Sequence, residues 1–103
     1  MAHVTIWEFR VPREAQAEFE ARYGPEGAWA VLFRKSPEYL RSELVKDLAQ
    51  PGRYLTFDWW TNGDALHRFK ARHLEAYVEL DHACAHLTDS EAFLGDFAPL
   101  LPR

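Results

Sequence analysis

The fold is decided by one stretch of the sequence, residues 54–60, which read YLTFDWW. Aromatic and β-branched residues fit a pleated surface, so the stretch predicts a strand. Side chains alternate across a strand, which places Leu55, Phe57 and Trp59 on one face. The opposite face carries Tyr54, Thr56, Asp58 and Trp60. A short chain can cover only one sheet face with its own helices. This second face, with two aromatics beside a hydroxyl and a carboxylate, therefore indicates a partner subunit or an enclosed ligand site.

The length of 103 residues predicts a single domain over residues 1–103 with one core. Hydrophobic residues make up 48% and charged residues 27%, which is typical of a globular protein and argues against disorder. Aromatic residues reach 15%, a high share for so short a chain. They have two interpretations, an aromatic-rich core or the lining of a pocket or interface.

Charge and cysteine content restrict the possible partners. The net charge is −4 and no predicted face gathers Lys and Arg, so we expect no nucleic-acid partner. No apolar run reaches transmembrane length, and the N-terminus lacks the regions of a signal peptide, so we expect no membrane association. Cys84 is the only cysteine, which excludes an intrachain disulfide and a thiolate metal cluster. A cytoplasmic location is the resulting expectation.

The remaining elements follow from periodicity and from breakers. Strands are predicted over residues 3–11, 39–48 and 90–97, and helices over residues 13–23 and 26–35. One long helix is predicted from about residue 61 to residue 87. The sequence allows a break near His73, although no residue there forces one. In the second strand, Leu40, Leu44 and Leu48 fall on one face and Tyr39 and Val45 on the other. Residues 50–52, QPG, predict a hairpin turn.

This element order predicts a ferredoxin-like α+β fold, a βαββαβ sandwich with a four-stranded antiparallel sheet. Both helical segments then cover the same face of the sheet. The first and third strands carry apolar residues on both faces, so the other face needs a cover as well. Two such sheets packed face to face would provide it. We therefore predict a homodimer in the form of a dimeric α+β barrel.

With this element order and predicted fold, the chain resembles the antibiotic biosynthesis monooxygenase (ABM) family of dimeric α+β barrels. The resemblance rests on segments spread along nearly the whole chain: residues 4–9 (VTIWEF), 23–29 (YGPEGAW), 32–34 (LFR), 39–40 (YL), 51–55 (PGRYL), the aromatic end of the third strand, and 90–91 (SE). The family includes quinol-type monooxygenases, haem-degrading enzymes and isomerases. Its pattern is therefore more specific for the fold than for an activity.

The resemblance implies an enzyme that oxidises an electron-rich aromatic with dioxygen and needs no metal or flavin. Such enzymes place Asn, Trp, Tyr and Arg or His in a pocket between sheet and helices. Candidates of these types are Asn62, Trp60, Trp29, Tyr77, His73 and Arg34. The haem-degrading branch is disfavoured. The first strand lacks its Asn, Phe69 occupies the position of its Trp, and Glu79 occupies that of its haem-ligating His.

His73 and Tyr77 are the predicted catalytic residues. They follow Phe69 at successive helical turns on the apolar stripe of the long helix. A histidine can take a proton from a phenol or quinol near neutral pH, and the tyrosine can hydrogen-bond the substrate oxygen. The alternative is a histidine held in the core by a backbone carbonyl.

The predicted substrate-binding residues are Trp60, Trp29, Phe69, Asn62 and Arg34. The two tryptophans could stack on a planar ligand, or they could belong to the core and to a dimer contact. Arg34 could neutralise an anionic intermediate, or it could simply be a favourable charge at a helix end. Glu79, His82 and His86 share a helix face at metal-ligand spacing, but Asp81 indicates a solvated face there, and no metal is expected.

The leading functional hypothesis is a cofactor-independent monooxygenase acting on a small or polycyclic phenol or quinol. A second hypothesis is a non-catalytic dimeric barrel that binds a small hydrophobic ligand or a partner protein. A third is an isomerase or lyase with His73 as base. An open cavity containing His73 would favour an enzyme, and a cavity filled by side chains would favour the second hypothesis.

Overall fold

The computed structural model describes residues 1–100 and contains a four-stranded antiparallel sheet in the order β2-β3-β1-β4. The strands are β1 (His3–Arg10), β2 (Tyr39–Lys46), β3 (Arg53–Trp60) and β4 (Ser90–Phe97). The helices are α1 (Gln16–Tyr23), α2 (Ala28–Phe33), α3 (Ala65–Arg72) and α4 (Leu74–Cys84), with short 3₁₀ turns before α1 and after α4. The predicted ferredoxin-like α+β fold is confirmed.

The turn at residues 50–52 connects β2 and β3 as predicted. Gly52 adopts a φ of 86°, and a β-carbon at this position would lie 2.7 Å from the carbonyl oxygen of Val11. Only glycine accepts both conditions without strain. The same close approach lets the Val11 amide donate a hydrogen bond of 2.8 Å to the Gly52 carbonyl. The turn therefore fixes the end of β1 as well as the hairpin.

The predicted faces of the second strand are wrong because β2 contains a bulge. The pairing with β3 shifts between Tyr39 and Arg41, so that Leu40 is an extra residue. Beyond the shift, alternation restarts on the other face. Tyr39 and Leu44 consequently both pack in the core, whereas Leu40 is half exposed.

The predicted long helix is divided at His73, where the sequence allowed a break without requiring one. The backbone leaves helical geometry at His73, with φ −123° and ψ 35°, and separates α3 from α4. The hydrogen bonds nevertheless continue across the junction. The His73 amide donates to Phe69, and the His73 carbonyl accepts from Tyr77. The break is therefore a kink between two helices in contact.

The core lies between the helices and the face of β3 that carries Tyr54, Thr56, Asp58 and Trp60. Trp60 has no exposed surface, and Phe19, Phe33 and Phe69 from three helices are buried with it in the core. The sequence indicated a partner subunit or an enclosed ligand site on this face, whereas the chain's own helices cover most of it. The opposite face, with Leu55, Phe57 and Trp59, has no helix over it within residues 1–100 and is only partly buried. None of the helices in that range is long and apolar enough to cross a membrane.

Candidate active site

A cavity remains between the sheet and the helices, beside the packed core. Its volume is about 70 Å³. This is smaller than the roughly 300–1,000 Å³ of many small-molecule sites. Six aromatic side chains form most of the wall: Trp7, Phe9, Tyr23, Trp29, Phe33 and Tyr77. Planar rings on both the sheet and the helices make the cavity suitable for a flat aromatic ligand.

Four polar side chains complete the lining. Thr56 and Asp58 come from β3, Asp81 comes from α4, and Glu91 comes from β4. Strand alternation explains the first two, since they lie two residues apart on the helix-covered face. Asp81 and Glu91 are exposed at the mouth, whereas Thr56 is buried. A hydroxyl and a carboxylate thus lie at the sheet side of an aromatic cavity.

Asp58 is held by a short chain of hydroxyl groups. The Ser42 hydroxyl donates to the Asp58 carboxylate at 2.6 Å, and the Ser42 and Tyr39 hydroxyls are 2.7 Å apart. Burial raises the pKa of Asp58 to about 6, against a lowering effect of the bond from Ser42. Burial disfavours the charged form because the low-dielectric surroundings replace water. Its carboxyl group therefore titrates close to neutral pH, as a general base requires.

Tyr77 projects from α4 and packs edge-on against Trp29, with ring centroids 5.2 Å apart. Burial raises the pKa of Tyr77 to about 12, and the negative charges of Asp81, Asp58 and Glu91 add to the effect. Its hydroxyl therefore remains protonated at neutral pH. A protonated phenol can donate a hydrogen bond to a ligand oxygen.

Of the predicted catalytic pair, the cavity contains Tyr77 but not His73. The imidazole of His73 lies 4.9 Å from the ring of Phe69 and belongs to the helix junction. Among the predicted substrate-binding residues, Trp29 lines the cavity. Trp60 and Phe69 are 0% and 2% exposed and fill the core beside it. Their rings pack against each other with centroids 5.9 Å apart.

Asn62 and Arg34 lie outside the cavity lining and make local contacts. Asn62 donates to the Glu38 carboxylate at 2.7 Å and accepts from the Asp64 amide at 3.0 Å, which orders the connection into α3. Arg34 caps the C-terminus of α2 and donates to the Pro25 carbonyl and the Glu26 carboxylate.

Sequence reasoning missed Asp58 as a functional residue. The signal was present, because Asp58 shares a strand face with Thr56 and Trp60. A carboxylate on a buried strand face needs either a partner charge or a functional role. Asp81 gave no such signal because its helix face was interpreted as solvated. Glu91 lay in a predicted strand with no functional assignment.

The fold and cavity together define a class: small ferredoxin-like domains that enclose an aromatic site between sheet and helices. A family model, "Antibiotic biosynthesis monooxygenase", matches residues 2–80. The match covers most of the chain, which therefore belongs to the ABM family. A search of curated proteins gave no match.

Solved structures of similar proteins share the fold. One is a variant of SnoaB, a cofactor-independent oxygenase from Streptomyces nogalater. It is 22% identical, with a TM-score of 0.77, over 98% of this chain and 95% of that one. Another is Rv0793 from Mycobacterium tuberculosis, 17% identical, with a TM-score of 0.72, over 99% and 98% of the two chains. At these identities the likeness concerns the fold alone.

Proposed function

We propose that this protein is a cofactor-independent monooxygenase that oxidises a phenol or quinol with dioxygen. The observation that carries the proposal is Asp58, a carboxyl group with a pKa of about 6 at the side of an aromatic cavity. Membership of the ABM family supports a monooxygenase-type role. The similarity of the fold to a cofactor-independent oxygenase is consistent with it.

The reaction begins when Asp58 takes a proton from the substrate hydroxyl. The resulting phenolate is electron-rich and gives an electron to dioxygen, and the two radicals then join through a carbon–oxygen bond at the ring. The O–O bond of this peroxide breaks. One oxygen atom stays on the ring as a quinone carbonyl, and the other leaves as water with the proton and the ring hydrogen. A phenol and one dioxygen thus give one quinone and one water.

The elevated pKa of Asp58 makes the first step less unfavourable. A free phenol has a pKa of about 10, so proton transfer to an ordinary aspartate would be uphill by about six units. The pKa of about 6 removes roughly two of those units, equivalent to ~3 kcal/mol. Tyr77 is suited to donate a hydrogen bond to the oxygen on which negative charge develops.

The proposal is tested by oxygen uptake with a panel of hydroquinones and naphthols. Asp58→Asn keeps the shape but removes the base, and we expect kcat/KM to fall by roughly 10²–10⁴. Asp89→Asn makes the same chemical change at an exposed position outside the cavity lining and serves as the matched control. Ligand binding without oxygen uptake across the panel would indicate the alternative function of a binding protein. If the protein neither binds any compound of the panel nor consumes oxygen with it, the proposal is rejected.

His73, the base predicted from the sequence, is the alternative to Asp58. Variant kinetics separate the two candidates. With Asp58 as the base, His73→Asn changes kcat/KM by less than about threefold, since the ring contacts Phe69 outside the lining. A loss under His73→Asn as large as that under Asp58→Asn would transfer the role to His73.

We also propose that the open sheet face forms a homodimer. Ile6, Leu55, Phe57 and Trp59 present a continuous apolar surface on the two central strands, and soluble monomers rarely leave such surfaces exposed. Light scattering tests the proposal, with Phe57→Glu as the disrupting variant. We expect the mass of a dimer for the wild type and of a monomer for the variant. A monomeric wild type at micromolar concentration would contradict it.

A further inference from the structure

The charge of the cavity lining is one-sided. Three carboxyl groups, those of Asp58, Asp81 and Glu91, reach it from three different elements of the fold. Within residues 1–100, the lining contains no Lys, Arg or His. Cavities that accept aromatic acids or phosphorylated ligands carry at least one cationic side chain. The cavity has the opposite character.

The negative charges of the three carboxyl groups affect the same part of the cavity, around Tyr77. All three line the same cavity as Tyr77, and after burial their negative charges raise the pKa of Tyr77. Burial and the neighbouring charge of Asp81 raise the pKa of Glu91. The carboxyl groups at the mouth therefore repel each other while they face a common space, and a cation between them would relieve that repulsion.

The nearby cationic side chains have other partners. Arg22 pairs with Glu18 at 2.7 Å. Lys70 lies 4.8 Å from the ring centroid of Tyr77 and lines a separate groove between α3 and β1. The carboxyl groups of the cavity are thus left without a cationic partner among its lining residues.

The aromatic wall fits a cation as well. The faces of Trp and Tyr rings attract ammonium groups, and an aromatic enclosure with carboxylates is the usual chemistry of amine recognition. Trp29 adds a second polar feature. Its side chain is 9% exposed and lines the cavity, and its indole N–H lies close enough to the Tyr23 hydroxyl to lower the pKa of that group against the effect of burial.

We propose that the ligand of this cavity is an aromatic amine in the protonated form, a hydroxylated ring with an ammonium group on a short side chain. The ammonium lies at the mouth between Asp81 and Glu91, and the hydroxylated ring lies against the aromatic wall near Asp58. The oxidation of this amine rests on the proposed function, whereas the binding of the amine does not depend on it. A cation on the substrate also favours the chemistry, because it offsets the negative charge that forms when the hydroxyl loses its proton.

The test compares three ligands of nearly equal size and different charge: 2-(2,5-dihydroxyphenyl)ethylamine, 2-ethylhydroquinone and 2,5-dihydroxyphenylacetate. Binding is measured by calorimetry at pH 7.5 without oxygen, so that turnover does not interfere. We expect the amine to bind at least roughly tenfold more tightly than the neutral compound. The carboxylate should bind most weakly, because it meets three like charges.

Variants separate local recognition from overall charge. Asp81→Asn and Glu91→Gln should each reduce the preference for the amine over the neutral compound by roughly three- to tenfold. Glu79→Gln is the matched control, since it removes one negative charge from an exposed position on the same helix as Asp81. It should leave the preference unchanged. Equal binding of amine and neutral compound would overturn the proposal, and so would an equal effect of Glu79→Gln and Asp81→Asn.

The outcome is separable from that of the proposed function. Preferential binding of the amine with no oxygen uptake in air would reject the monooxygenase and keep the amine site. Oxygen uptake at equal kcat/KM with all three compounds would keep the monooxygenase and reject the amine site.

Discussion

The two ends of the helix-covered sheet face contain similar residues but are filled differently. At one end Trp60 packs edge-on against Tyr39 and Phe33, each with centroids 5.2–5.3 Å away, and no space remains around it. At the other end Trp7 and Tyr77 line an open cavity together with Asp58. The comparison teaches that aromatic content alone does not distinguish a core from a pocket. The polar residues among the aromatics mark the difference.

The largest expected effect concerns the packed end. Trp60→Ala removes a fully buried ring and should lower the free energy of unfolding by about 3–5 kcal/mol. Trp7→Ala should cost clearly less, because part of the Trp7 ring borders empty space. Urea unfolding of both variants measures the difference. Equal losses would show that the two ends are packed alike in solution.

A second prediction concerns the pH dependence of stability. The folded-state pKa of Asp58 is about 6, above the ordinary 3.8. The folded state therefore binds more protons than the unfolded state between these values, and this group makes the protein less stable as pH rises. Asp58→Asn lacks the effect. Relative to wild type, the variant should gain up to ~3 kcal/mol between pH 4 and pH 7.

Urea unfolding of both proteins at several pH values between 4 and 7 checks this prediction. The difference between the two proteins is the relevant quantity, because Asp47 and Glu38 have lowered pKa values and act in the opposite direction in both. A difference that stays constant with pH would place the Asp58 carboxyl in a water-like environment. The contrast between the two ends of the face would then be weaker.

A smaller effect is expected from the hydroxyl chain behind Asp58. Ser42→Ala removes the hydrogen bond of 2.6 Å that stabilises the ionised carboxylate. The pKa of Asp58 should rise, and the acidic limb of the pH–rate profile should move to higher pH. Ser42→Thr can keep the hydroxyl and should restore the profile. An unmoved limb in Ser42→Ala would separate the hydroxyl chain from the reaction.

The smallest effect is predicted for Asn62, which lies at neither end of the comparison. Asn62→Ala removes its bonds to Glu38 and to the Asp64 amide and should cost about 1 kcal/mol of stability. Since the side chain does not line the cavity, kcat/KM should change by less than about threefold. Thermal unfolding measures the loss of stability, and oxygen uptake measures the change in kcat/KM. A large kinetic loss at unchanged stability would bring Asn62 into the site.

The sequence predicted the fold because its signals are local. Breakers such as Gly24-Pro25 and residues 50–52 separate segments with clear periodicity, and the element order selects a ferredoxin-like sheet. The bulge at Leu40 and the kink at His73 were not predictable in the same way. Each depends on contacts with another element, and a change of one residue in register exchanges the faces of a strand.

The candidate site was only partly predictable for the same reason. Tyr77 and Trp29 were named from their residue type and lie in the lining. The expectation for His73 assumed one uninterrupted helical stripe, and the kink occurs at that residue. Asp81 on α4 and Glu91 on β4 line the same cavity, and no local pattern in the sequence reports that convergence.

The irregularities of the sheet lie on its two outer strands. The central pair β1–β3 is regular from His3 to Arg10. The pairing of β1 with β4 shifts between Ile6 and Trp7, and that of β2 with β3 shifts beside Leu40. Bulged edges present their free amide and carbonyl groups out of line, so another extended chain cannot add to them in register. Each border of the sheet thereby carries a built-in barrier against the strand-to-strand aggregation that leads to fibrils.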